Sequence, residues 1–341
     1  MKRQEVYPFT AIVGQDEMKL ALVLNIINPS LGGVLIKGEK GTAKSTAVRA
    51  LAALLPAMNA VSKCRFHCQP GQEHLLCDEC REKLLSVGCL QEESIKMRVV
   101  ELPVSATEDR VVGTLDIEAA IETGKKKFDP GILAEANRNI LYIDEINLLE
   151  DHITDILLDS AAMGINTIER EGVSYAHPAR FVLVGTMNPE EGDIRPQLLD
   201  RFALSVQVKG EQELNSRVEV IKRRLAYEQD AAVFSEKYAS EQKKLADRIV
   251  QAKQLLPTVS LADALVEKVA ALSLSLGVDG HRADITVIKT ALTYAAFSGR
   301  NSADLEDIKK AVQLSLPHRM RRRPFEEGSL DWNKVEKLLE E

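Results

Sequence analysis

One stretch of the sequence decides the fold: Gly33-Val34-Leu35-Ile36-Lys37-Gly38-Glu39-Lys40-Gly41-Thr42-Ala43-Lys44-Ser45. It joins an apolar strand pattern to a glycine-rich turn, and a helical pattern follows from Lys44 to Leu55. From Gly38 to Ser45 the turn matches the phosphate-binding pattern G-x-x-x-x-G-K-[S/T], except that Ala43 replaces the second glycine. Alanine keeps its backbone N–H, so the donors that face phosphate oxygens remain, and the helix N-terminus adds its dipole. The stretch predicts a phosphate-binding loop between a strand and a helix.

The loop residues supply the expected contacts to a nucleotide. Lys44 has the length to reach the β- and γ-phosphates, and the Ser45 hydroxyl is a suitable ligand for Mg²⁺. The residues expected to bind the nucleotide in this segment are Gly38, Glu39, Lys40, Gly41, Thr42, Ala43, Lys44, Ser45 and Thr46.

Two carboxylates follow the apolar run from Ile140 to Ile143. Because strand ends face the ligand crevice of a parallel sheet, Asp144 is expected to hold the Mg²⁺ shell together with Ser45. Glu145 is expected to polarise the attacking water. The phosphate loop and the two carboxylates together predict hydrolysis of ATP with Mg²⁺.

Strand and helix patterns alternate through about the first 210 residues and give way to helices afterwards. The alternation is typical of βαβ units and a largely parallel sheet. We therefore predict an α/β domain, with a parallel sheet flanked by helices, over residues 1–210 and an α-helical domain over residues 211–341. The predicted strands are 33–37, 97–102, 140–143 and 181–184, and the predicted later helices are 211–227, 240–255, 262–276, 285–298 and 302–314, the last with Asn301-Ser302 as its cap.

Composition excludes several classes of protein. Among 341 residues no apolar run approaches the roughly 18 residues that span a bilayer, and the polar N-terminus shows no signal-peptide pattern. The net charge of -7 and the aromatic content of 4% argue against a non-specific nucleic-acid binder or a base-stacking platform. We expect a cytoplasmic globular protein without a nucleic-acid partner.

All five cysteines fall in one segment, in the order Cys64-x₃-Cys68-x₈-Cys77-x₂-Cys80-x₈-Cys89. Clustering without a secretion signal favours metal or redox chemistry over a disulfide framework. The pair Cys64 and Cys68 and the pair Cys77 and Cys80 suit one tetrahedral S₄ site, so structural Zn²⁺ is the preferred interpretation. An iron–sulfur cluster and free or redox-regulated thiols remain open for this insert, at about residues 60–92.

The order of the motifs resembles that of AAA+ ATPases, and more narrowly that of the I subunit of magnesium chelatase and its close relatives. The phosphate loop is followed by Asp144-Glu145, then by Gly185-Thr186-Met187-Asn188-Pro189, then by Leu199-Asp200-Arg201-Phe202. Further similar segments are Tyr7 to Gln15, Ala106 to Arg110, Asp144 to Leu149, Asn166 to Gly172 and His177 to Phe202. The resemblance spans nearly the whole chain except the cysteine segment, where the photosynthetic members of the family are poor in cysteine.

The resemblance implies roles for further residues. Asn188 is implied to orient the lytic water against the γ-phosphate, and Arg201 to act as the arginine finger on the ATP of a neighbouring subunit. Arg282 is implied to be the sensor arginine of the helical lid, and Val13 and Gly14 to lie near the adenine. A finger that serves the next subunit requires a ring, so the resemblance implies a homo-oligomer, with a hexamer expected.

The resemblance also implies a function. The chain is expected to be the ATPase motor of a metal–tetrapyrrole ligase of chlorophyll biosynthesis, in which a D-type AAA+ subunit and a large tetrapyrrole-binding subunit insert Mg²⁺ into protoporphyrin IX. Inserts at Glu101 to Phe128 and Ile168 to Ser174 are plausible contacts to these partners, unless they form a solvated charged face. A cobaltochelatase-type motor of cobalamin synthesis would share every ATPase motif. The same motifs are also compatible with a chaperone-like AAA+ remodelling ATPase or a DNA-remodelling helicase subunit.

Overall fold

A computed structural model describes residues 5–116, 127–170, 173–192, 194–278, 280–320 and 332–340 of the chain. Parts of the two expected partner-binding inserts, at residues 117–126 and 171–172, lie outside the described residues. The chain forms two compact units, one made of Met1–Ala47 with Asn188–Glu341 and the other of Val48–Met187. The domain boundary predicted near residue 210 stays a prediction. Among the helices of the described ranges, none combines the length and the apolar character needed to cross a membrane.

The described secondary structure consists of short strands, helices and 3₁₀ turns. The strands are β1 (Val34–Gly38), β2 (Met58–Val61), β3 (Glu92–Ile95), β4 (Val99–Leu102), β5 (Gly113–Asp116), β6 (Lys127–Pro130), β7 (Ile140–Ile143), β8 (Ile165–Arg170), β9 (Val173–Pro178), β10 (Val182–Met187) and β11 (Leu204–Val208). The helices are α1 (Asp16–Ile27), α2 (Lys44–Leu54), α3 (Asp78–Val87), α4 (Glu108–Val112), α5 (Ile132–Ala136), α6 (Asp151–Met163), α7 (Pro196–Arg201), α8 (Leu214–Gln229), α9 (Ala231–Leu255), α10 (Asp263–Leu276), α11 (Arg282–Phe297), α12 (Leu305–Ser315) and α13 (Trp332–Glu340). The 3₁₀ turns are Phe9–Ala11, Pro29–Leu31, Glu73–Leu75, Ile146–Leu148, Pro189–Glu191 and Leu256–Thr258.

A parallel sheet of five strands, in the order β11-β1-β10-β7-β4, carries the phosphate loop and the carboxylates. Every residue of β7 and β10 is buried. Parallel strands are covered on both faces, which is why these strands read as continuous apolar runs rather than as alternating ones. The predicted fold class, a parallel sheet flanked by helices and followed by helices, is confirmed.

The helices that follow β11 differ from the predicted ones at their ends. The Asp230 side chain accepts hydrogen bonds from the N–H groups of Ala232 and Val233, so α9 begins nine residues before its predicted start at residue 240. Helix α12 is capped by Asp304 in a capping box with Asp307, and the predicted cap at Asn301-Ser302 is wrong. In both cases an aspartate satisfies the first helical N–H groups better than the residues chosen from the pattern.

Helices α10 to α13 bury one apolar core. Its buried side chains include Val269, Leu272, Val287, Ile308, Val312, Val335 and Leu339. Helix α13, which the sequence pattern did not predict, contributes Val335 and Leu339, four residues apart on one face. The predicted helical character of the chain after residue 210 is confirmed for the described residues, since no strand begins after Val208 there.

Within the unit Val48–Met187, three antiparallel strand pairs accompany the central strands. They are β2 with β3, β5 with β6 and β8 with β9. None of the three pairs was predicted. Their strands are short and carry charged residues such as Glu92, Glu93 and Glu169, so the apolar alternation that marks a strand is weak in each.

A buried histidine in the unit that contains the C-terminal helices predicts a pH dependence of stability. The Nε2 of His318 lies 2.9 Å from the Phe202 carbonyl oxygen, and its Nδ1 has no hydrogen-bond partner among the described residues. Burial, aided by the positive charge of Arg319, lowers the pKa of His318 to about 3. The ring is therefore neutral in the folded protein, with Nε2 as the donor.

Because the unfolded chain binds a proton at His318 near pH 6.5 and the folded chain does not, acidification below that pH favours unfolding. From pH 7.5 to pH 5.5 this group alone lowers the free energy of unfolding by about 1.4 kcal/mol. His318→Gln retains a donor for Phe202 and does not titrate. We expect chemical denaturation to show that wild type loses about 1.4 kcal/mol more than His318→Gln over this interval. Equal losses would mean that His318 is protonated in the folded protein or is not buried.

Candidate nucleotide and metal sites

The phosphate loop lies between β1 and α2, as the sequence predicts. Gly38 ends β1 where β11 leaves no room for a side chain, because a Cβ at Gly38 would lie 2.3 Å from the Val208 carbonyl oxygen. Gly41 has a φ of +84°, and a Cβ there would meet nothing within 4 Å. Packing therefore requires glycine at position 38, and the positive φ favours glycine at position 41. The loop at Gly41 adjoins open space suited to a phosphate group.

Side chains of the loop fold back onto its own backbone. The Lys44 ammonium donates hydrogen bonds to the backbone carbonyl oxygens of Gly38 and Glu39. The Thr42 hydroxyl donates to the same Glu39 carbonyl oxygen at 2.8 Å. Ser45 and Thr46 lie half-buried in the first turn of α2. The positive charge thus lies within the loop, at the N-terminal end of a helix, where both the charge and the helix dipole attract an anion.

Ala43 departs from the phosphate-binding pattern at a cost that the pattern alone does not reveal. Its φ is +60°, in the left-handed region that glycine adopts freely. For alanine this conformation costs about 1–2 kcal/mol. The loop nevertheless keeps its shape and its backbone N–H, so the substitution affects stability more than the number of phosphate donors.

The two carboxylates after β7 are held by a network of hydroxyl groups. The Tyr142 hydroxyl donates to Asp144 Oδ1 at 2.9 Å, and the Thr186 hydroxyl donates to the same oxygen at 2.6 Å. Burial raises the pKa of Tyr142, so the phenol stays protonated and remains a donor. The exposed Asp144 carboxylate is therefore fixed in orientation through one oxygen.

Glu145 has an unusual backbone conformation, with a φ of 56° and a ψ of 54°. Its N–H donates to Thr186 Oγ1 at 3.1 Å, which helps to hold this conformation. A non-glycine residue kept in the left-handed region costs of order 1–3 kcal/mol, and such residues concentrate at functional sites. Sequence reasoning missed Tyr142 and Thr186, although Thr186 stands inside a motif that was singled out, next to the predicted strand end.

Asn188 directly follows β10 and is buried. Its Oδ1 accepts a hydrogen bond from the Glu190 N–H at 3.3 Å, which caps the 3₁₀ turn Pro189–Glu191. Within the same compact unit, the ammonium of Lys40 in the phosphate loop pairs with Glu191 Oε1 at 2.6 Å. The structure thus brings the loop and the turn after Asn188 together.

The two arginines with implied roles are connected through Asp200. Arg201 ends α7, and Arg282 begins α11 and contacts Asp200, with Nη1 3.3 Å from Oδ2. The buried Arg319 also contacts Asp200, with Nε 3.4 Å from Oδ1. Asp200 therefore pairs with both Arg282 and Arg319. Because Asp200 directly precedes Arg201, its pair with Arg282 brings Arg282 to the end of α7 where Arg201 lies.

The remaining implied residues, Val13 and Gly14, precede α1. Gly14 has a φ of +59°, and a Cβ there would lie 2.2 Å from Glu211 Oε1. Gln15 Nε2 donates to the Lys209 carbonyl at 2.8 Å and to the same Glu211 carboxylate at 3.1 Å. The glycine thus permits the close approach of the segment that follows β11. Its role beside an adenine stays a prediction.

Comparison with known proteins places this chain in a family. The description "Magnesium chelatase, subunit ChlI" matches residues 114–197, and "AAA lid domain" matches residues 266–340. A magnesium-chelatase subunit ChlI homolog of Methanocaldococcus jannaschii is 57% identical over 341 residues, which cover 100% of this chain and 93% of that protein. The chain belongs to the magnesium-chelatase subunit ChlI family.

Two further proteins support this assignment. The magnesium-chelatase subunit ChlI of a Nostoc species is 50% identical over 338 residues, covering 99% of this chain and 90% of that one. A solved complex between subunits BchI and BchD of magnesium chelatase contains a chain with a TM-score of 0.56 and 44% sequence identity, covering 98% of this chain and 100% of that one. As a ChlI family member with the AAA+ fold, the protein uses ATP and Mg²⁺.

The cysteine segment of this ChlI family member forms a compact group of thiols. The sulfurs of Cys64, Cys68, Cys77 and Cys80 all lie within 4.8 Å of one another, and all four residues are buried. Cys64 and Cys77 Sγ are 3.8 Å apart, which is far from a disulfide bond of about 2.05 Å. Cys89 is exposed and lies outside the group. The structure therefore brings together the four cysteines that the sequence predicted as ligands.

Backbone N–H groups and the N-terminus of α3 surround these thiols. The N–H of Phe66 donates to Cys64 Sγ at 3.4 Å, and the N–H of Cys77 donates to Cys68 Sγ at 3.2 Å. Cys77 precedes α3 and Cys80 lies in its first turn, where the helix dipole stabilises negative charge. Hydrogen bonds from the Cys68, Cys77 and Cys80 thiols lower the pKa of Cys64, and the hydrogen bonds to Cys64 raise the pKa of the other three thiols.

Proposed function

We propose that this chain is the ATPase motor of a multisubunit metal chelatase, in which its ATP hydrolysis drives partner subunits to insert Mg²⁺ into protoporphyrin IX. The observation that carries the proposal is the 57% identity to a ChlI homolog over the full chain, combined with a phosphate loop held between β1 and α2. The N–H groups of the loop, the Lys44 ammonium and the open space at Gly41 suit a triphosphate.

We assign the nucleotide contacts to residues from Gly38 to Thr46, with Lys44 on the β- and γ-phosphates and Ser45 and Asp144 in the shell of Mg²⁺. Val13 and Gly14 are assigned to the adenine. An Mg²⁺ ion held by Ser45 and Asp144 would supply positive charge to the phosphate oxygens. Glu145 accepts the proton of the attacking water, and the buried Asn188 amide orients that water.

We assign Arg201 to the ATP of the neighbouring subunit. A guanidinium is planar and always charged, which suits it to the charge of a transferring phosphoryl group. Arg282 is assigned as the sensor arginine of the lid, close to Arg201 through its pairing with Asp200. A residue that acts on the next subunit requires a closed ring, for which we propose a hexamer.

The partners follow from the family. The related BchI chain is found in a complex with BchD, which supports a D-type AAA+ subunit as the direct partner of this chain. We propose that a large third subunit binds the tetrapyrrole. The antiparallel strand pairs β5–β6 and β8–β9, called hairpins below for their described strands alone, overlap the expected inserts, and we propose them as contacts to the partner subunits.

We propose that Cys64, Cys68, Cys77 and Cys80 hold one Zn²⁺ ion. With Zn–S bonds of about 2.3 Å, a tetrahedral S₄ site separates its sulfurs by about 3.8 Å. The observed separations, 3.8 Å for Cys64 and Cys77 and within 4.8 Å for all pairs, suit a single ion. A cluster with several irons and bridging sulfides lies between its thiolates and forces some of them farther apart, so zinc is favoured over an iron–sulfur cluster.

Reconstitution with the D-type and large subunits of the same organism tests the proposed function. Absorbance follows Mg²⁺ insertion into protoporphyrin IX and, in a parallel reaction, Co²⁺ insertion into a corrin precursor. We expect insertion of Mg²⁺. Insertion of cobalt alone would contradict the proposed substrate and favour a motor of cobalamin synthesis. Intact ATP hydrolysis without insertion of either metal would favour a chaperone-like remodelling ATPase.

A further inference from the structure

We infer that the metal at the four-cysteine site fixes the position of the Phe66 ring and, through that ring, the bases of the two hairpins β5–β6 and β8–β9. This inference rests on the metal site proposed above. As a consequence, bound metal keeps the surfaces proposed to meet the partner subunits in a fixed conformation. All the residues that carry it lie in the unit Val48–Met187.

Phe66 lies in the turn between the first two cysteines. Two residues of this turn region, Lys63 and His67, have φ values of 57° and 49° in the left-handed region. Such conformations persist only where the surrounding structure determines them. The Phe66 N–H donates to Cys64 Sγ, and the Phe66 carbonyl accepts a hydrogen bond from Asn137 Nδ2 at 2.5 Å. Bonds from a metal to Cys64 and Cys68 would fix both ends of the turn.

The Phe66 ring is fully buried and lies among aromatic side chains of both hairpins. Its centroid is 4.8 Å from that of His177 and 6.2 Å from that of Phe128, and both pairs are stacked. Phe128 in turn stacks on Tyr175 at 4.4 Å. Phe128 belongs to β6, whereas Tyr175 and His177 belong to β9, so one ring from the cysteine turn contacts both hairpins.

Polar contacts tie the same region together. Arg65, next to Phe66, donates to the Phe128 carbonyl oxygen at 2.8 Å and pairs with Glu79 in α3. The Asn166 side chain in β8 donates to the Val112 carbonyl oxygen at 3.0 Å and contacts His177 Nε2 at 3.0 Å. Val112 directly precedes β5, which begins at Gly113, and a Cβ at Gly113 would lie 2.5 Å from the Phe128 ring.

The cysteine segment depends on the metal more than the hairpins do. It comprises the short strand pair β2–β3 and the helix α3. Within α3, which is described throughout, Cys80 is the only buried residue. Helix α3 is thus anchored to the rest of the segment mainly through Cys80, and a metal that joins residues 64 and 68 to residues 77 and 80 supplies folding free energy directly. Loss of the ion would therefore release Phe66 before it disturbs the apolar strands β7 and β10.

Metal analysis and hydrogen exchange of the full-length chain test the inference. We expect one zinc per chain and no iron. After removal of zinc by a chelator, amides of β6 and β9 should exchange roughly tenfold faster or more, and zinc addition should restore their protection. Amides of β11, in the other unit, should change little. Cys80→Ser should reproduce the chelated state without a chelator.

Two variants separate the metal from the ring. Phe66→Leu keeps all four cysteines, so it should retain one zinc per chain and still show faster exchange in β6 and β9. Cys89→Ser, a change of the exposed cysteine outside the cluster, should retain zinc and leave exchange unaltered.

The outcomes distinguish the steps of the inference. A chain without metal, or with iron in place of zinc, would contradict the proposed zinc site. One zinc per chain whose removal leaves β6 and β9 unchanged would overturn the inference alone and leave the zinc site standing. Neither outcome bears on ATP hydrolysis, which the experiment does not measure.

Discussion

Glu145→Gln is expected to bind ATP as wild type does and to hydrolyse it roughly 100- to 10,000-fold more slowly. The amide has the shape of the carboxylate but cannot accept a proton from water, so only the chemical step is affected. The backbone of Glu145 is held through its N–H to Thr186, which the substitution retains. Nucleotide affinity measured by fluorescence and turnover measured by phosphate release check the two parts of this expectation.

A matched control for this variant is Glu150→Gln, because Glu150 is an exposed carboxylate five residues further along the chain. The control should hydrolyse ATP at the wild-type rate. Turnover by Glu145→Gln within a few-fold of wild type would show that Glu145 does not activate the water. Loss of ATP binding would show instead that the residue acts in binding or in folding.

Arg201→Ala is expected to bind ATP normally while the assembled ring loses roughly 1,000-fold or more of its hydrolysis rate. Asp200 is held by Arg282 and Arg319, so removal of the Arg201 side chain leaves these pairs in place and the chain should fold. The expected loss arises because the guanidinium acts on the transition state at the neighbouring subunit. Turnover by the purified ring, with ATP affinity measured separately, checks this expectation.

Mixed rings test whether the site is shared between subunits. Arg201→Ala supplies an intact phosphate loop, and Lys44→Ala supplies an intact arginine. In a random equimolar mixture about a quarter of the interfaces combine the two, so about a quarter of the wild-type rate should return. Arg217→Ala, an exposed arginine of α8, serves as the control and should keep full activity. A mixture as inactive as either variant alone, or normal turnover by Arg201→Ala, would refute the shared site.

The parts of the molecule that were predictable from the sequence are those with a local physical signal. The loop from Gly38 to Ser45 combines glycines, a lysine and a helix start within eight residues, and the structure places it between β1 and α2. The run Ile140 to Ile143 is apolar throughout because it is buried on both faces, and its predicted bounds agree with those of β7. The spacing of the four cysteines likewise identified the group that the structure brings together.

Other features depend on contacts that are distant in sequence. The roles of Tyr142 and Thr186 emerge only when β7 and β10 pair and both hydroxyl groups reach Asp144. Phe66 stands between two cysteines without any local sign that it meets Phe128 and His177. The hairpins were missed because pairing between short polar strands leaves little apolar alternation in either strand.

The measurement that tests the central claim most directly is the initial rate of Mg²⁺ insertion into protoporphyrin IX in the reconstituted system, with wild type or Lys44→Ala and fixed amounts of both partner subunits. The account predicts ATP-dependent insertion with wild type and with Lys237→Ala, an exposed control in α9, and none above background with Lys44→Ala. Insertion that proceeds equally well with Lys44→Ala, or without ATP, would contradict the claim that this chain is the motor.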